Sequence, residues 1–121
     1  MIFAVATLLT AVLFSFAILS PHPVRGFELL CFDVGQGDGF LLRSGTTNIL
    51  IDSGSSDQKK LGSRTLEPCL KSKGISRLDI AIVSHGDSDH ISGLLYLLEQ
   101  KMPIELLMLP AGGKGGEIYG Q

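Results

Sequence analysis

Residues 78–100 read LDIAIVSHGDSDHISGLLYLLEQ, and this stretch decides how the chain is expected to fold. Its first part, 78–84, is a short apolar run rich in isoleucine and valine, which is typical of a buried strand. Its last part, 91–100, carries leucines and an isoleucine at helical spacing. The residues between them, 85–90, are polar, so the stretch predicts a strand, a loop of ionisable side chains and a helix.

The loop crowds together four side chains that can bind metal: His85, Asp87, Asp89 and His90. Imidazole nitrogens and carboxylate oxygens are common donors to first-row divalent metals. A loop at a strand end lets alternate side chains turn towards one point. A polar helix cap is the competing interpretation, because Asp and Ser are strong N-cap residues. The four side chains are therefore candidate metal ligands.

Short apolar runs separated by glycine-rich turns fill the region before this stretch. We predict strands over 27–34, 39–43 and 47–52. The glycines of 35–39 follow a G-x-G-x-G spacing, but they lead into a strand and not into a helix. A phosphate-binding loop is therefore not favoured.

A helix and a further strand complete the expected fold. Residues 62–73 are predicted to form a helix that ends at Gly74, because glycine readily adopts the left-handed conformation of a helix C-terminal cap. Pro68 is compatible with this helix only in its first turn. Residues 102–110 are predicted to form a strand. Together these elements predict an α+β fold.

Residues 2–20, IFAVATLLTAVLFSFAILS, contain no charged side chain. About 20 apolar residues in a helix cross a hydrocarbon core of roughly 30 Å. A secretory signal peptide usually has basic residues before its apolar core, and none precedes this run. A buried globular helix would need more surrounding protein than the rest of the chain offers. The predicted organisation is a transmembrane helix over 1–20, a linker over 21–26 and a partial domain over 27–121.

The charged side chains all follow the apolar run, and acids slightly exceed bases, giving a formal net charge of −2. The lysine pair at 59–60 is typical of a solvated surface and not of a basic patch. Charge therefore gives no support for nucleic-acid binding. Any action on a polyanion would have to come from the chemistry of the site.

Two motifs, in the right order, carry a resemblance to a known family. The loop 85–90 resembles the His-x-His-x-Asp-His motif of the metallo-β-lactamase superfamily, and 49–54, ILIDSG, resembles its first motif, whose aspartate lies under the metal site. A narrower resemblance is carried by 32–39, FDVGQGDG, together with 84–93. This pair is similar to the metallo-β-lactamase-like domain of ComEC-type DNA-internalisation competence proteins.

The resemblance implies an αββα sandwich, of which this chain would supply the first half, preceded by one transmembrane helix. The superfamily's later ligands are a further histidine, a bridging aspartate and a last histidine. After His90 the sequence has no histidine and no aspartate. We therefore expect the chain to be a truncated domain that is catalytically silent, or nearly so, on its own.

Carried over residue by residue, the resemblance assigns His85 and Asp87 to one metal position and Asp89 and His90 to a second. Asp89 is the candidate catalytic residue, and Asp52 would orient the ligands from beneath. Asp87 stands where the superfamily motif has a histidine, and a harder oxygen donor favours manganese or magnesium, with zinc as the alternative. The complete protein would then bind two divalent metal ions, zinc or manganese.

The activity implied by the resemblance is metal-dependent hydrolysis of DNA phosphodiester bonds by a membrane-attached domain of a bacterial DNA-uptake protein. DNA, the cell membrane and other DNA-uptake components would be its partners, and the domain would face outward from the membrane. Two alternatives stay open. One is a signal-anchored metallo-hydrolase of the same superfamily with another substrate, since fold does not fix function. The other is a non-catalytic DNA-binding domain.

Overall fold

An apolar helix precedes a mixed five-stranded sheet in the computed structural model, which describes residues 1–111 apart from the side chain of Ser88. The last ten residues of the predicted domain 27–121 lie outside the described residues. In chain order the elements are α1 (Ile2–Leu19), β1 (Val24–Cys31), β2 (Gly39–Gly45), β3 (Thr47–Ser53), a π-helical turn (Gly62–Leu66), α2 (Glu67–Ser72), β4 (Leu78–Ile82), α3 (Ser88–Glu99) and β5 (Ile104–Met108).

The sheet has the strand order β1-β2-β3-β4-β5. The first three strands pair antiparallel, and β4 and β5 add in parallel. Tight turns can join antiparallel neighbours, whereas parallel neighbours need long crossovers, which here contain α2 and α3. The predicted α+β class is confirmed, and the structure agrees with a truncated metallo-β-lactamase-like fold.

The two helices cover one face of the sheet. Burial alternates along β2 and β3, so every second side chain enters the core. The opposite face stays partly open, with Leu29 62% exposed on β1 and Leu106 50% exposed on β5. In an αββα sandwich a second sheet would cover this face. The buried cluster comprises Leu41, Leu50, Leu66, Leu70, Ile75, Leu78, Ala81, Val83, Ile91, Leu94 and Leu97.

The strand and helix bounds differ from the predicted ones mainly where the chain bends. The strand β1 begins at Val24, within the segment predicted as a linker, because a bulge between Val24 and Phe27 allows the earlier residues to continue pairing with β2. The helix predicted over 62–73 is divided into the π-helical turn and α2. Pro68 lies in the first turn of α2, and Gly74 follows that helix with φ +67°, as predicted.

The helix α1 is solvent-exposed along its whole length and has a mean hydropathy of 2.6. Thr7 and Thr10 donate hydrogen bonds to the carbonyls of Phe3 and Ala6, which satisfies their hydroxyls within the helix. Length and composition fit a membrane span, and a signal sequence near the N-terminus meets the same criteria. This helix is compatible with the predicted membrane location.

Candidate metal centre

The candidate ligands lie beside the carboxyl ends of β3 and β4, which are adjacent parallel strands. Asp52 is the penultimate residue of β3, and Ser84 lies two residues after the end of β4. Parallel pairing brings both strand ends to one edge of the sheet, and we call this edge the metal edge. It is where side chains from separate loops of an α/β sheet commonly converge on a ligand.

Asp52 is buried and holds the segment after β4 in place. Its Oδ1 accepts the backbone N–H of Ser84 at 2.8 Å, and its Oδ2 accepts the Ser84 hydroxyl at 2.8 Å. Asp52 also has φ +48°, in the left-handed region that non-glycine residues seldom adopt. Such backbone strain persists only where the surrounding structure fixes it, and it concentrates at functional sites.

Ser84 connects Asp52 to the first histidine. Its Oγ lies 2.8 Å from His85 Nδ1. Because the single Ser84 hydroxyl hydrogen is donated to Asp52, Oγ can only accept from His85, so the proton lies on Nδ1. The Nε2 atom of the exposed His85 ring then keeps its lone pair. In metal sites, a hydrogen bond to one ring nitrogen of a histidine commonly orients the ring so that the other nitrogen can bind the metal.

His90 is almost enclosed, with its side chain 9% exposed. Its Nδ1 lies 3.5 Å from both Asp38 Oδ2 and Asp52 Oδ2, and its Nε2 lies 3.4 Å from Asp89 Oδ2. The His85 and His90 rings are 3.7 Å apart, centroid to centroid, and tilted by 47°. Two imidazoles thus lie together among several carboxylates, an environment that favours a cation.

The types of donor atom at the metal edge suit a metal ion, but their positions do not yet form a complete site. The buried His90 Nδ1 has no hydrogen-bond partner in the part of the chain that the structure describes, and an orphaned nitrogen of this kind can bind a metal or an added polar group. Asp87 is exposed, which leaves its carboxylate free to turn. Among the described residues, however, no three His, Cys, Asp or Glu side chains already converge on one point.

Two glycines let three backbone segments pack directly against one another at the metal edge. A side chain at Gly37 would overlap the carbonyl oxygen of Gly54, and a side chain at Gly54 would overlap the backbone of Asp89 and His90. Asp38 fastens these segments, since its N–H donates to Asp89 at 3.2 Å and its carbonyl accepts from Gly54 at 3.0 Å. Gly37, Asp38 and Gly54 therefore hold the backbone of Asp89 and His90 in place. We call these three residues the backbone clamp.

Asp57 anchors the same clamp from the other side. Its Oδ1 accepts the Ser55 hydroxyl at 2.6 Å and the Gln36 N–H at 3.1 Å. These hydrogen bonds, with the Ser55 hydroxyl as the main cause, lower the pKa of the Asp57 carboxyl. The charged carboxylate therefore helps to hold the loop 35–38 against the end of β3.

Two of the four candidate ligands belong to α3 and not to the loop that the sequence predicts. The helix begins at Ser88 and not at 91, so Asp89 and His90 lie in its first turn. Asp87 is the N-cap residue, but its side chain makes no capping hydrogen bond. The negative charge of Asp89 in the first turn is favourable for the helix dipole.

Ser84 and Asp38 are site residues that the sequence does not predict. Asp38 lies in the turn before β2, and nothing local shows that its carboxylate lies 3.5 Å from His90. Ser84 directly precedes His85, and a hydroxyl next to a candidate ligand at a strand end was a signal that could have been used. The packing role of Gly37 and Gly54 depends on contacts between distant segments and had no local signal.

The family of the chain follows from comparison with known proteins. Residues 32–112 match the metallo-β-lactamase superfamily, which is more than half of the chain. The chain belongs to the metallo-β-lactamase superfamily. Within the superfamily it is similar to curated competence proteins, which confirms the narrower resemblance found in the sequence. No solved structure matches the chain.

Two relatives define this likeness. The competence protein ComA of Neisseria gonorrhoeae is 37% identical over 71 residues, which are 59% of this chain and 10% of the relative. The ComE operon protein 3 of Bacillus subtilis (strain 168) is 33% identical over 99 residues, 70% of this chain and 13% of the relative. The chain thus spans about a tenth of the length of these relatives.

Proposed function

We propose that the chain is part of a membrane-attached, metal-dependent hydrolase domain that cleaves DNA phosphodiester bonds during DNA uptake. The observation that carries this proposal is the arrangement Asp52–Ser84–His85 beside the nearly enclosed His90. It supports a metal centre because it fixes one histidine with Nε2 free and leaves the other with an orphaned nitrogen. The competence proteins among its relatives support DNA as the substrate.

The four candidate ligands are divided between two metal ions in the proposed centre. His85 and Asp87 would hold one divalent ion, and Asp89 and His90 a second, with manganese or zinc as the candidates. The ions would supply a hydroxide near neutral pH and neutralise charge on a phosphoryl oxygen. Asp52 does not reach the substrate in this proposal, because both of its oxygens are engaged by Ser84.

The protein's own contribution is to hold these donors before a substrate arrives. The backbone clamp at Gly37 and Gly54 fixes the first turn of α3, which carries Asp89 and His90. The Asp89 carboxylate lies 3.4 Å from His90 Nε2, and this distance supports a role in sharing a proton or an ion with that ring. We therefore propose Asp89 as the catalytic carboxylate. The proposed domain is attached to the bacterial cell membrane through α1 and faces outward.

One observation favours a second candidate function. The described donors do not form a group of three around a common point, so a domain that binds DNA without cleaving it is the alternative. A metallo-hydrolase with another substrate is a further alternative, which only a comparison of substrates can test.

Metal titration of the full chain in detergent micelles tests the proposed centre. Manganese binding, followed by electron paramagnetic resonance, is expected for the natural sequence and should be weakened at least tenfold in His85→Ala and His90→Ala. His22→Gln is the matched control, because His22 is the only other histidine and lies outside the metal edge. Equal binding by all four proteins, or no binding at all, would contradict the proposed centre.

DNA cleavage is a separate measurement. Since the described donors do not converge, we expect little or no manganese- or zinc-dependent cleavage by this chain alone. Robust metal-stimulated turnover that His85→Ala abolishes would show that the chain is sufficient for activity.

A further inference from the structure

The segment between α1 and β1, residues 20–23, is fastened to the sheet by a buried arginine. Arg43 lies on β2, is only 4% exposed and donates from Nη2 to the carbonyl of His22 at 2.6 Å. Its Nε donates to Asn48 Oδ1 at 3.1 Å. A guanidinium has a rigid, planar set of donors, so one side chain fixes the direction in which the segment leaves the sheet.

Glu28 strengthens this attachment through two cations. Its carboxylate lies 3.6 Å from Arg43 and 2.7 Å from the Lys73 ammonium group, which follows α2. The hydrogen bond from Lys73 is the main cause that lowers the pKa of the Glu28 carboxyl. The segment 20–23 is thereby held next to both the sheet and the end of α2.

Gly74 closes the other side of the same segment. It has φ +67°, and a side chain here would overlap the carbonyl oxygen of Ser20. The same added carbon would lie 2.9 Å from His22 Nδ1 and 3.3 Å from Pro21 Cα. The turn after α2 therefore packs against residues 20–22 without room for a methyl group. We call residues 20–23 with Arg43 and Gly74 the docked junction.

The docked junction and the metal edge lie at opposite ends of the sheet. Val24, which follows the junction, pairs with Gly45 at the turn that precedes β3. Asp52 lies near the other end of β3. From Thr47 to Asp52 the strand advances about 17 Å at about 3.3 Å per residue. The candidate ligands are therefore far from the point where α1 joins the domain.

We propose that the docked junction fixes the domain to α1 and holds the metal edge on the side away from the membrane. This inference rests on the proposed membrane attachment of α1. In a flexibly linked domain the metal edge would sample all heights above the bilayer. In a domain that the junction holds in place, the metal edge stays away from the bilayer. A substrate then reaches it from the aqueous side and not along the headgroup surface.

Energy transfer to labelled lipid headgroups in vesicles tests the proposal. The full chain, with Cys31 and Cys69 changed to serine, receives a donor dye either at Thr46→Cys, beside the junction, or at Ser56→Cys, beside the metal edge; both positions are exposed. Higher transfer from Thr46 than from Ser56 is expected. Equal or reversed transfer would overturn the proposal.

The donor at Ser56 then tests whether the junction is rigid. Gly74→Ala should raise its transfer towards the Thr46 value, because the added methyl group displaces residues 20–22. Gly45→Ala is the matched control, since Gly45 has φ +59° but no atom of the described residues lies within 4 Å of an added carbon. It imposes similar backbone strain without touching the junction, and it should leave the transfer from Ser56 unchanged.

An insertion of Gly-Ser-Gly-Ser between Leu19 and Ser20 is a second variant that leaves the domain itself intact. It should produce the same rise in transfer from Ser56 even if Gly74→Ala does not fold. No change with the insertion would overturn the rigid coupling. A chain that fails to sediment with vesicles after an alkaline wash would instead contradict the membrane attachment, which is a failure of the proposed function.

Discussion

The two ends of the sheet bury polar side chains in different ways. At the junction end, Arg43 is 4% exposed, and its partners are Asn48, Glu28 and the His22 carbonyl. At the metal edge, His90 is also buried, and its Nδ1 has no hydrogen-bond partner among the described residues. Because folded proteins satisfy nearly all buried polar groups, an orphaned nitrogen needs an explanation other than stability. The junction end thus resembles a structural network, and the metal edge a binding site.

Gly54 at the metal edge and Gly45 at the junction end have different surroundings. Gly54 faces backbone atoms, which cannot move aside, as Gly74 does in the docked junction, whereas no described atom lies within 4 Å of a carbon added at Gly45. Backbone contact makes the metal edge sensitive to any added atom. Substitutions can test this contrast first through packing and then through hydrogen bonds and charge.

Gly54→Ala is expected to have the largest effect. The added methyl group would overlap the backbone of Asp89 and His90, so α3 must shift, at a cost of about 3 kcal/mol in the free energy of unfolding. Urea unfolding followed by circular dichroism measures this cost. Gly45→Ala is the control and should cost only about 1 kcal/mol, from left-handed strain. Equal costs for both would show that the metal edge is not tightly packed.

Arg43→Met is expected to come next, with a loss of about 2 kcal/mol in the free energy of unfolding. The substitution keeps the apolar stem but leaves Asn48 and the His22 carbonyl without their buried donor. Lys71→Met is the control, because the Lys71 side chain is 73% exposed and forms a surface ion pair with Glu67. The same urea measurement should show little change for that control, since exposed ion pairs contribute little. A similarly small change in the free energy of unfolding for Arg43→Met would show that the Arg43 network does not stabilise the junction end.

Much of the fold was predictable because its signals are local. The apolar run of β4, the spacing of leucines in α3 and the cap at Gly74 each depend on neighbouring residues, and the structure contains all three elements. The superfamily was predictable from 49–54 and 85–90, because each motif is a continuous stretch of sequence within the matched residues 32–112. The bounds at 24 and 88 were not, because each depends on contacts with residues distant in the sequence.

The finer geometry of the metal edge was not predictable for a related reason. The start of α3 depends on contacts of its first turn with Gly54 and Asp38, which are more than 30 positions earlier in the sequence. The burial of Arg43 within β2 depends likewise on the His22 carbonyl, which is 21 positions away. Local patterns define element types, whereas the approach of distant backbones defines where a helix begins and which polar side chains are enclosed.

Ser84→Ala should affect the metal edge mainly through metal binding. Loss of the hydroxyl breaks the connection between Asp52 and His85 Nδ1, so the ring is no longer held with Nε2 free. Removal of such an orienting partner weakens metal binding about tenfold or more, while the stability loss should be about 1 kcal/mol. Manganese titration and urea unfolding measure the two effects. Ser84→Thr, which keeps a hydroxyl, should retain most of the affinity, and equal losses in both variants would contradict the orienting role.

Acid should weaken the junction end by a smaller amount. Asp79 accepts the Asn48 N–H at 2.7 Å, and this hydrogen bond, followed by the Arg77 guanidinium, lowers the pKa of the Asp79 carboxyl from its ordinary value of 3.8. Because the folded-state pKa is the lower one, the stabilisation is present above pH 3.8 and is lost as the pH falls through the folded-state value. Asp79→Asn should therefore be less stable than the natural chain near neutral pH, by less than about 1 kcal/mol given the partly exposed ion pair. Urea midpoints measured across this acid range should converge, and a gap that stays constant with pH would show that Asp79 acts by its shape and not by its charge.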